Sequence, residues 1–351
     1  MSESSLTSTS RKEWLDALKG LAIILVVMSH TDCGVPFLHK YLTACYMPLF
    51  FIASGYVFKK KAGCYQRKFI QLLVPYISWA IVYLSAACIL YHVTDLKKIG
   101  IWFIGIVYSR FNLFELGTMP NIKLLPPGAG PLWFLTCMAL SYLLVCPLIQ
   151  AKSTMRLILI LIYLGISACL IFCPILMPWS LDTAFMGALF IYAGYLFKDI
   201  RLNRRRIWIA FLVCTPIYLI LSHINSGINM SVREYGNLGL ISLPLFGIIG
   251  ILGTVSYATF FMLINHSRLC HYFAYFGRIS LTIMCSHLFF ARLIKVIYEY
   301  FSNQGTSIHK AIYLPVMLVA TLCCCILAQH VLSYIKGKIL NIKQKNATQP
   351  G

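Results

Sequence analysis

Long apolar stretches separated by short polar connections run along almost the whole chain. A helix needs about 20 mostly apolar residues to cross a bilayer. Ten stretches meet this need, at about 14–31, 41–58, 69–91, 131–150, 157–177, 183–197, 207–222, 238–264, 279–298 and 311–335. An eleventh candidate, 99–109, ends at Arg110 and is too short to cross alone, which is typical of a re-entrant or interfacial helix. The pattern predicts an all-α polytopic membrane protein with about ten transmembrane helices.

The distribution of Lys and Arg predicts the orientation of these helices. With ten spans and an internal N-terminus, 20 of the 30 Lys and Arg residues fall on inner segments and 7 on outer ones, as the positive-inside rule requires. Counting 99–109 as a span would put the basic cluster at 198–206 outside. We therefore expect both termini in the cytoplasm, with an N-terminal segment at 1–13, a transmembrane domain at 14–336 and a tail at 337–351. The long outer segment, about 92–130, would carry the short helix.

Composition excludes a soluble domain. The chain is 59% hydrophobic and 11% charged, against about 25% charged residues in ordinary soluble proteins. A net charge of +20 could suggest nucleic-acid binding, but that function needs a basic face on a soluble domain. The excess charge follows from membrane topology, and we expect the bilayer as a partner and no nucleic acid.

Three ionisable residues lie in the first apolar stretch: Asp16, Lys19 and His30. Ionisable groups within spans are costly and are therefore functional candidates. Lys19 and His30 are eleven residues apart, which places them on one helix face about 16 Å apart along the axis, and Asp16 is within i,i+3 reach of Lys19. Neutral His can take a proton from a hydroxyl near neutral pH. The alternative is an interfacial His and a Lys that merely snorkels.

Further motifs give the chain a specific resemblance. It resembles the acyltransferase family 3 membrane enzymes, the group that contains fucose 4-O-acetylase-like and O-antigen acetylases. The resemblance covers most of the membrane region. Its pieces are a basic residue and a His separated by ten residues (Lys19 and His30), MPLFFIASGY at 47–56, RKFIQLLVPY at 67–76, GPLWFL at 130–135, and Gly277 followed by His287.

The resemblance implies acyl transfer from cytoplasmic acetyl-CoA to an outer hydroxyl. His30 would be the general base, Lys19 would contact the donor or stabilise charge on the thioester carbonyl, and Asp16 would orient Lys19. The family commonly has two arginines separated by two residues after the second span, whereas this chain has Arg67 and Lys68. Donor phosphates would then meet point charges at Lys59, Lys60, Arg67 and Lys68, unless these residues reflect topology alone.

Five further residues are candidates for the acceptor site or an acyl channel. His287 lies in mid-span, where it could line the channel or hydrogen-bond a facing helix. Trp133 could anchor the interface or stack on a sugar. Ser54 and Tyr56 flank Gly55 in a small-residue face that would let the first helix approach closely. Glu115 is an outer carboxylate that could bond acceptor hydroxyls.

These observations favour an integral-membrane O-acetyltransferase in the bacterial plasma membrane. Its partners would be acetyl-CoA and a cell-surface polysaccharide or lipid-linked saccharide, with no metal and no permanently bound cofactor. The alternative is a transporter or flippase for a saccharide or lipid-linked glycan, since intramembrane Lys and His also suit a permeation path. Transporters usually contain inverted repeats with broken helices, and the sequence shows no such symmetry.

Overall fold

A computed structural model of the chain describes residues 12–31, 40–41, 43–60, 63–114, 122–302 and 310–347. Twelve α-helices account for most of these residues. They are α1 (Glu13–His30), α2 (Tyr46–Tyr56), α3 (Cys64–Leu90), α4 (Leu96–Tyr108), α5 (Trp133–Gln150), α6 (Ser153–Ile171), α7 (Leu181–Phe197), α8 (Arg204–Ile224), α9 (Ser242–Leu263), α10 (Arg268–Arg278), α11 (Ser280–Ser302) and α12 (Lys310–Ala347).

Eight of these helices are long and apolar enough to cross a membrane: α3, α5, α6, α7, α8, α9, α11 and α12. They coincide with the last eight of the ten predicted stretches. In the most apolar 18-residue stretch of α6 and of α8, only 11% is buried within the protein. Their exposed residues are mostly apolar, so these helices face lipid. The all-α polytopic membrane fold is confirmed.

The first two predicted stretches form shorter helices than the other eight. α1 has 18 residues and carries Glu13, Asp16 and Lys19. α2 has only 11 residues, eight of which are buried. Both helices are packed against several others: α1 contacts α2, α9, α10, α11 and α12, and α2 contacts α1, α7 and α9. This position explains why α1 tolerates charges and why α2 need not be long enough to cross the bilayer.

Glycines allow two very close helix crossings in this interior. A Cβ on Gly20 of α1 would lie 1.7 Å from the carbonyl oxygen of Phe273 in α10, and one on Gly277 would lie 1.8 Å from that of Asp16. Likewise, a Cβ on Gly55 of α2 would lie 1.9 Å from the carbonyl oxygen of Ile191 in α7. The small residue of this face, Gly55, thus admits α7 and not the first helix as predicted, whereas its neighbour Tyr56 does contact α1, at Trp14. The helix that approaches α1 most closely through glycines is α10, at Gly20 and Gly277.

The short helix α4 packs over one end of the bundle. α4 has 13 residues and is not among the long apolar helices. Tyr76 of α3 donates a hydrogen bond to the carbonyl oxygen of Ile106 at 2.5 Å. Tyr108 donates to that of Leu176 at 2.8 Å, and Trp179 donates to that of Val107 at 2.7 Å. These bonds hold α4 beside the end of α1 that carries His30, called the His30 end below.

Candidate active site

His30 is the last residue of α1 and lies where two cavities meet. It lines a cavity of about 280 Å³ and a second of about 450 Å³. Its Nδ1 lies 2.8 Å from the carbonyl oxygen of Val26, one turn earlier in the helix. Because a carbonyl oxygen can only accept, Nδ1 carries the hydrogen. In the neutral ring the lone pair is therefore on Nε2, which is the nitrogen that can act as a base.

His287 of α11 lies directly beside His30. The ring centroids are 5.1 Å apart in an edge-to-face arrangement. His287 is fully buried, and its Nδ1 donates to the carbonyl oxygen of Ile283, 2.9 Å away in its own helix, not to a facing helix. Its Nε2 has no hydrogen-bond partner among the described residues. The sequence predicted a mid-span histidine, and the structure adds its contact with His30.

The two cavities differ in the chemistry of their walls. The smaller has hydroxyl, amide and aromatic groups, among them Thr43, Tyr46 and Asn229. The larger has three cationic side chains: Arg110, Lys123 and Arg292. Trp133 lines both cavities, next to the short 3-10 helix Gly130–Leu132. It therefore lies beside His30, where an indole face can stack on a sugar.

A short hairpin between α8 and α9 closes both cavities. Asn229 and Ser231 line each of them, and Asn229 pairs with Glu234 across the hairpin. Partial burial raises the pKa of the Glu234 carboxyl. Burial, followed by the nearby Asp182 carboxylate, raises the pKa of the Tyr235 phenol. Sequence reasoning did not single out Asn229 or Ser231, because isolated polar residues in a loop carry no periodic signal.

A buried ion network holds the walls of the larger cavity. Asp182, at the start of α7, accepts a hydrogen bond from Arg110 and lies 3.5 Å from the Nε of Arg233. All three side chains are at most 2% exposed. Arg110 also donates to the carbonyl oxygens of Met177 and Ser231, at 3.1 and 2.5 Å. Arg110 and Arg233 lie outside the ten predicted apolar stretches, and the stretch at 183–197 begins just after Asp182, so the sequence pattern did not pair them.

A third cavity, of about 790 Å³, lies at the opposite end of α1, called the Lys19 end below. Its wall includes Asp16 and Lys19, whose carboxylate and ammonium are 3.4 Å apart. Asp16 is buried, while Lys19 is partly exposed. The eleven residues from Lys19 to His30 correspond to about 16 Å of helix rise. One helix thus connects an ion pair at one end with an imidazole at the other.

The cavity at the Lys19 end is rich in lysines. Lys59, Lys60 and Lys198 line it, together with Lys12 and Tyr56. The ammonium of Lys12 donates to the Tyr56 hydroxyl at 2.6 Å and lies 4.7 Å from the centre of its ring. The predicted donor residues Lys59 and Lys60 are thus brought to Lys19. Lys12 and Lys198 were missed as cavity residues, because a count of charges by topology does not reveal which of them converge.

The other predicted site residues lie elsewhere. Arg67 and Lys68 begin α3 and do not line the cavity at the Lys19 end. Ser54 donates to the sulfur of Met138 at 3.8 Å, inside the helix packing. Glu115 lies outside the described residues. Among the residues that the structure describes, no three His, Cys, Asp or Glu side chains converge as a metal site.

The family model for acyltransferase family 3, described as an acyltransferase domain, matches residues 12–330. The chain belongs to acyltransferase family 3. Comparison with curated proteins and with solved structures gives no match. The matched region includes both ends of α1, His287 and the loops that line the cavities. This acyltransferase is therefore a membrane enzyme whose polar residues converge at two separate ends of one buried helix.

Proposed function

We propose that this acyltransferase is an O-acetyltransferase of the bacterial plasma membrane. It would take acetyl from acetyl-CoA at the Lys19 end, on the cytoplasmic side. It would place acetyl on a hydroxyl of a cell-surface polysaccharide or its lipid-linked precursor at the His30 end. The observation that carries this proposal is the position of His30 at the junction of two polar cavities, with its Nδ1 bonded to Val26.

His30 is suited to act as a general base. With hydrogen on Nδ1, Nε2 can accept the proton of an acceptor hydroxyl. The hydroxyl oxygen then attacks the thioester carbonyl, forming a C–O bond while the C–S bond breaks. The proton held on Nε2 passes to the departing CoA thiolate. Trp133 and Asn229 supply a stacking surface and an amide beside His30, as recognition of a neutral sugar requires.

The cavity at the Lys19 end is suited to the donor. Acetyl-CoA is polyanionic, and the cavity has five ammonium groups against the carboxylates of Asp16 and Asp199; the five are those of Lys12, Lys19, Lys59, Lys60 and Lys198. Lysines act on phosphate as point charges. Lys19, held by Asp16, is the basic residue of this cavity closest along α1 to His30. It would therefore contact the pantetheine arm, which must extend from the phosphates at the Lys19 end toward a thioester at His30.

Surface glycan analysis tests this function. Cells carrying the wild-type chain, His30→Ala, His330→Ala or no chain are compared at equal membrane abundance. Glycan is analysed by mass spectrometry before and after mild alkali. His330 is an exposed histidine of α12 and serves as the matched control. We expect an alkali-labile 42-Da increment, roughly the mass of an added acetyl, with the wild type and His330→Ala only, because His30 is needed to activate the hydroxyl.

The same experiment separates the transporter hypothesis from acyl transfer. Membership of the acyltransferase family supports transfer. Glycan that is chemically unchanged in all four strains but altered in amount or chain length would instead favour transport of a saccharide. A labile ester of a different mass would keep the transferase and replace acetyl with another acyl group.

A further inference from the structure

The larger cavity at the His30 end has an excess of positive charge. Arg110, Lys123 and Arg292 line it, and no carboxylate does among the described residues. Asp182 lies behind the wall, where its one negative charge is shared between Arg110 and Arg233. The network of these three side chains therefore remains net positive. Positive charge in a concave, partly desolvated site attracts anions, because the low-dielectric walls focus the field.

Lys123 and Arg292 are the side chains available to a ligand. Both are exposed, and no carboxylate of the described residues lies within ion-pair distance of either. Arg110, by contrast, is buried and has its Nε, Nη1 and Nη2 all donating to protein atoms. Arg110 thus contributes charge and shape, whereas Lys123 and Arg292 can donate hydrogen bonds directly.

Two independent elements bring these side chains together. Lys123 lies in the segment after α4, where it pairs with Asn112. Arg292 is in α11, five residues after His287. The stem of Arg292 passes close to Gly128, since a Cβ on that glycine would lie 3.2 Å from its Cδ. Gly128 itself lines the cavity. The packing of this loop therefore directs Arg292 into the cavity.

The smaller cavity at the His30 end is lined mainly by neutral groups. Apart from His30, its wall has no charged side chain among the described residues. The two cavities share His30, Pro131, Trp133, Asn229 and Ser231. A ligand that fills both would present a neutral hydroxylated part to one side of His30 and an anionic part to the other.

We infer that Lys123 and Arg292 form a subsite for a phosphate group of the acceptor, so that the acceptor is a phosphate-bearing saccharide. This inference rests on the proposed function for the identity of the acceptor as a saccharide. Phosphate is favoured because the guanidinium of Arg292 presents a bidentate fork and Lys123 adds a point charge. The phosphate could link the saccharide to a lipid carrier or lie within the finished polymer.

Hydrogen exchange with inorganic pyrophosphate tests the subsite without any assay of transfer. The full chain in nanodiscs is compared with Lys123→Gln/Arg292→Gln and with Lys295→Gln. Lys295 is on the same helix, is paired with Glu299 and does not line the cavity. We expect pyrophosphate to slow exchange in segments 122–130 and 288–294 of the wild type and of Lys295→Gln. In the double variant, binding should weaken by at least about tenfold, because charge-assisted hydrogen bonds are lost.

The outcomes separate the subsite from the proposed function. Protection that is absent from these segments in the wild type, or that persists in the double variant, would overturn the subsite. Protection without any alkali-labile ester in cells would keep the subsite and contradict O-acetyl transfer. The fraction that carries the ester identifies the source of the phosphate. An ester in the organic-extractable fraction indicates a lipid-linked saccharide, and an ester confined to polymer indicates a phosphodiester of the finished glycan.

Discussion

At the scale of single residues, His30 and His287 are held in the same way. Each Nδ1 hydrogen points at a carbonyl oxygen four residues earlier, Val26 for His30 and Ile283 for His287. Each neutral ring therefore keeps its lone pair on Nε2. The edge of one ring faces the other at a centroid distance of 5.1 Å. Because this contact limits rotation of the His30 ring, we expect His287 to act as a positioning residue.

Replacing His287 tests this positioning. His287→Ala would leave a void behind His30 and let its ring turn, which we expect to lower kcat roughly tenfold to a hundredfold. KM for acetyl-CoA should not change, since the donor cavity is at the other end of α1. His287→Phe restores a ring of similar shape and should recover most of kcat. Equal losses in the Phe and Ala variants would show that a nitrogen of His287 is needed instead.

Asp182 is the residue on which the buried ion network depends. Asp182→Asn would leave Arg110 and Arg233 buried without a carboxylate, and removing one partner of a buried pair costs about 3–5 kcal/mol. We expect a clear drop in the thermal unfolding temperature of the purified protein, measured with and without acetyl-CoA. Asp199→Asn, at an exposed carboxylate, should unfold like the wild type when acetyl-CoA is absent. An unchanged unfolding temperature for Asp182→Asn would mean that the arginines find other partners.

At the scale of helices, the interior depends on glycine crossings. Gly20 directly follows Lys19, so the crossing of α1 with α10 also sets the position of the Lys19 ammonium. Gly20→Ala would force the helices apart, because its Cβ would meet the backbone oxygen of Phe273 at 1.7 Å. We expect a loss of about 1–3 kcal/mol, visible as a lower unfolding temperature, and weaker binding of acetyl-CoA.

Gly165→Ala is the matched control for this crossing. Gly165 lies in α6 with open space around the position of a Cβ. Because Ala favours helix over Gly by about 1 kcal/mol, this variant should be as stable as the wild type or more so. Equal unfolding temperatures for Gly20→Ala and Gly165→Ala would contradict the tight packing of α1 against α10.

The helix patterns in the sequence predicted most of the fold but little of the packing in its interior. The eight long apolar helices follow from stretches of about 20 apolar residues, which need no knowledge of neighbours. The lengths of α1 and α2 depend on burial among other helices, which an apolar stretch does not record. The Lys19–His30 spacing predicted two residues well separated along α1, and they line different cavities. The pairing of Asp182 with Arg110 joins residues 72 apart, and no local pattern predicts it.

At the scale of the whole molecule, the two ends of the bundle have distinct chemistry. Lysines line the cavity at the Lys19 end, whereas an imidazole, an indole and cationic side chains meet at the His30 end. The positive-inside rule predicts that the Lys19 end faces the cytoplasm. A fluorescent protein fused to the C-terminus should therefore fluoresce, and alkaline phosphatase inserted after Gly227 should be active. Reversed activities of the two reporters would invert the orientation and place the donor outside.

Transfer of acetyl from one side of the membrane to the other can be measured in inverted membrane vesicles. Acetyl-CoA labelled in its acetyl group is supplied only to the outer face of sealed inverted vesicles, which is the cytoplasmic face. Label in alkali-labile ester is then measured in the protected lumen. We expect lumenal ester with the wild type and loss of at least about 99% of it in His30→Ala, as removal of a general base costs about 10²–10⁴-fold. Ester found only on the donor's own side, or lumenal ester that persists without His30, would contradict this expectation.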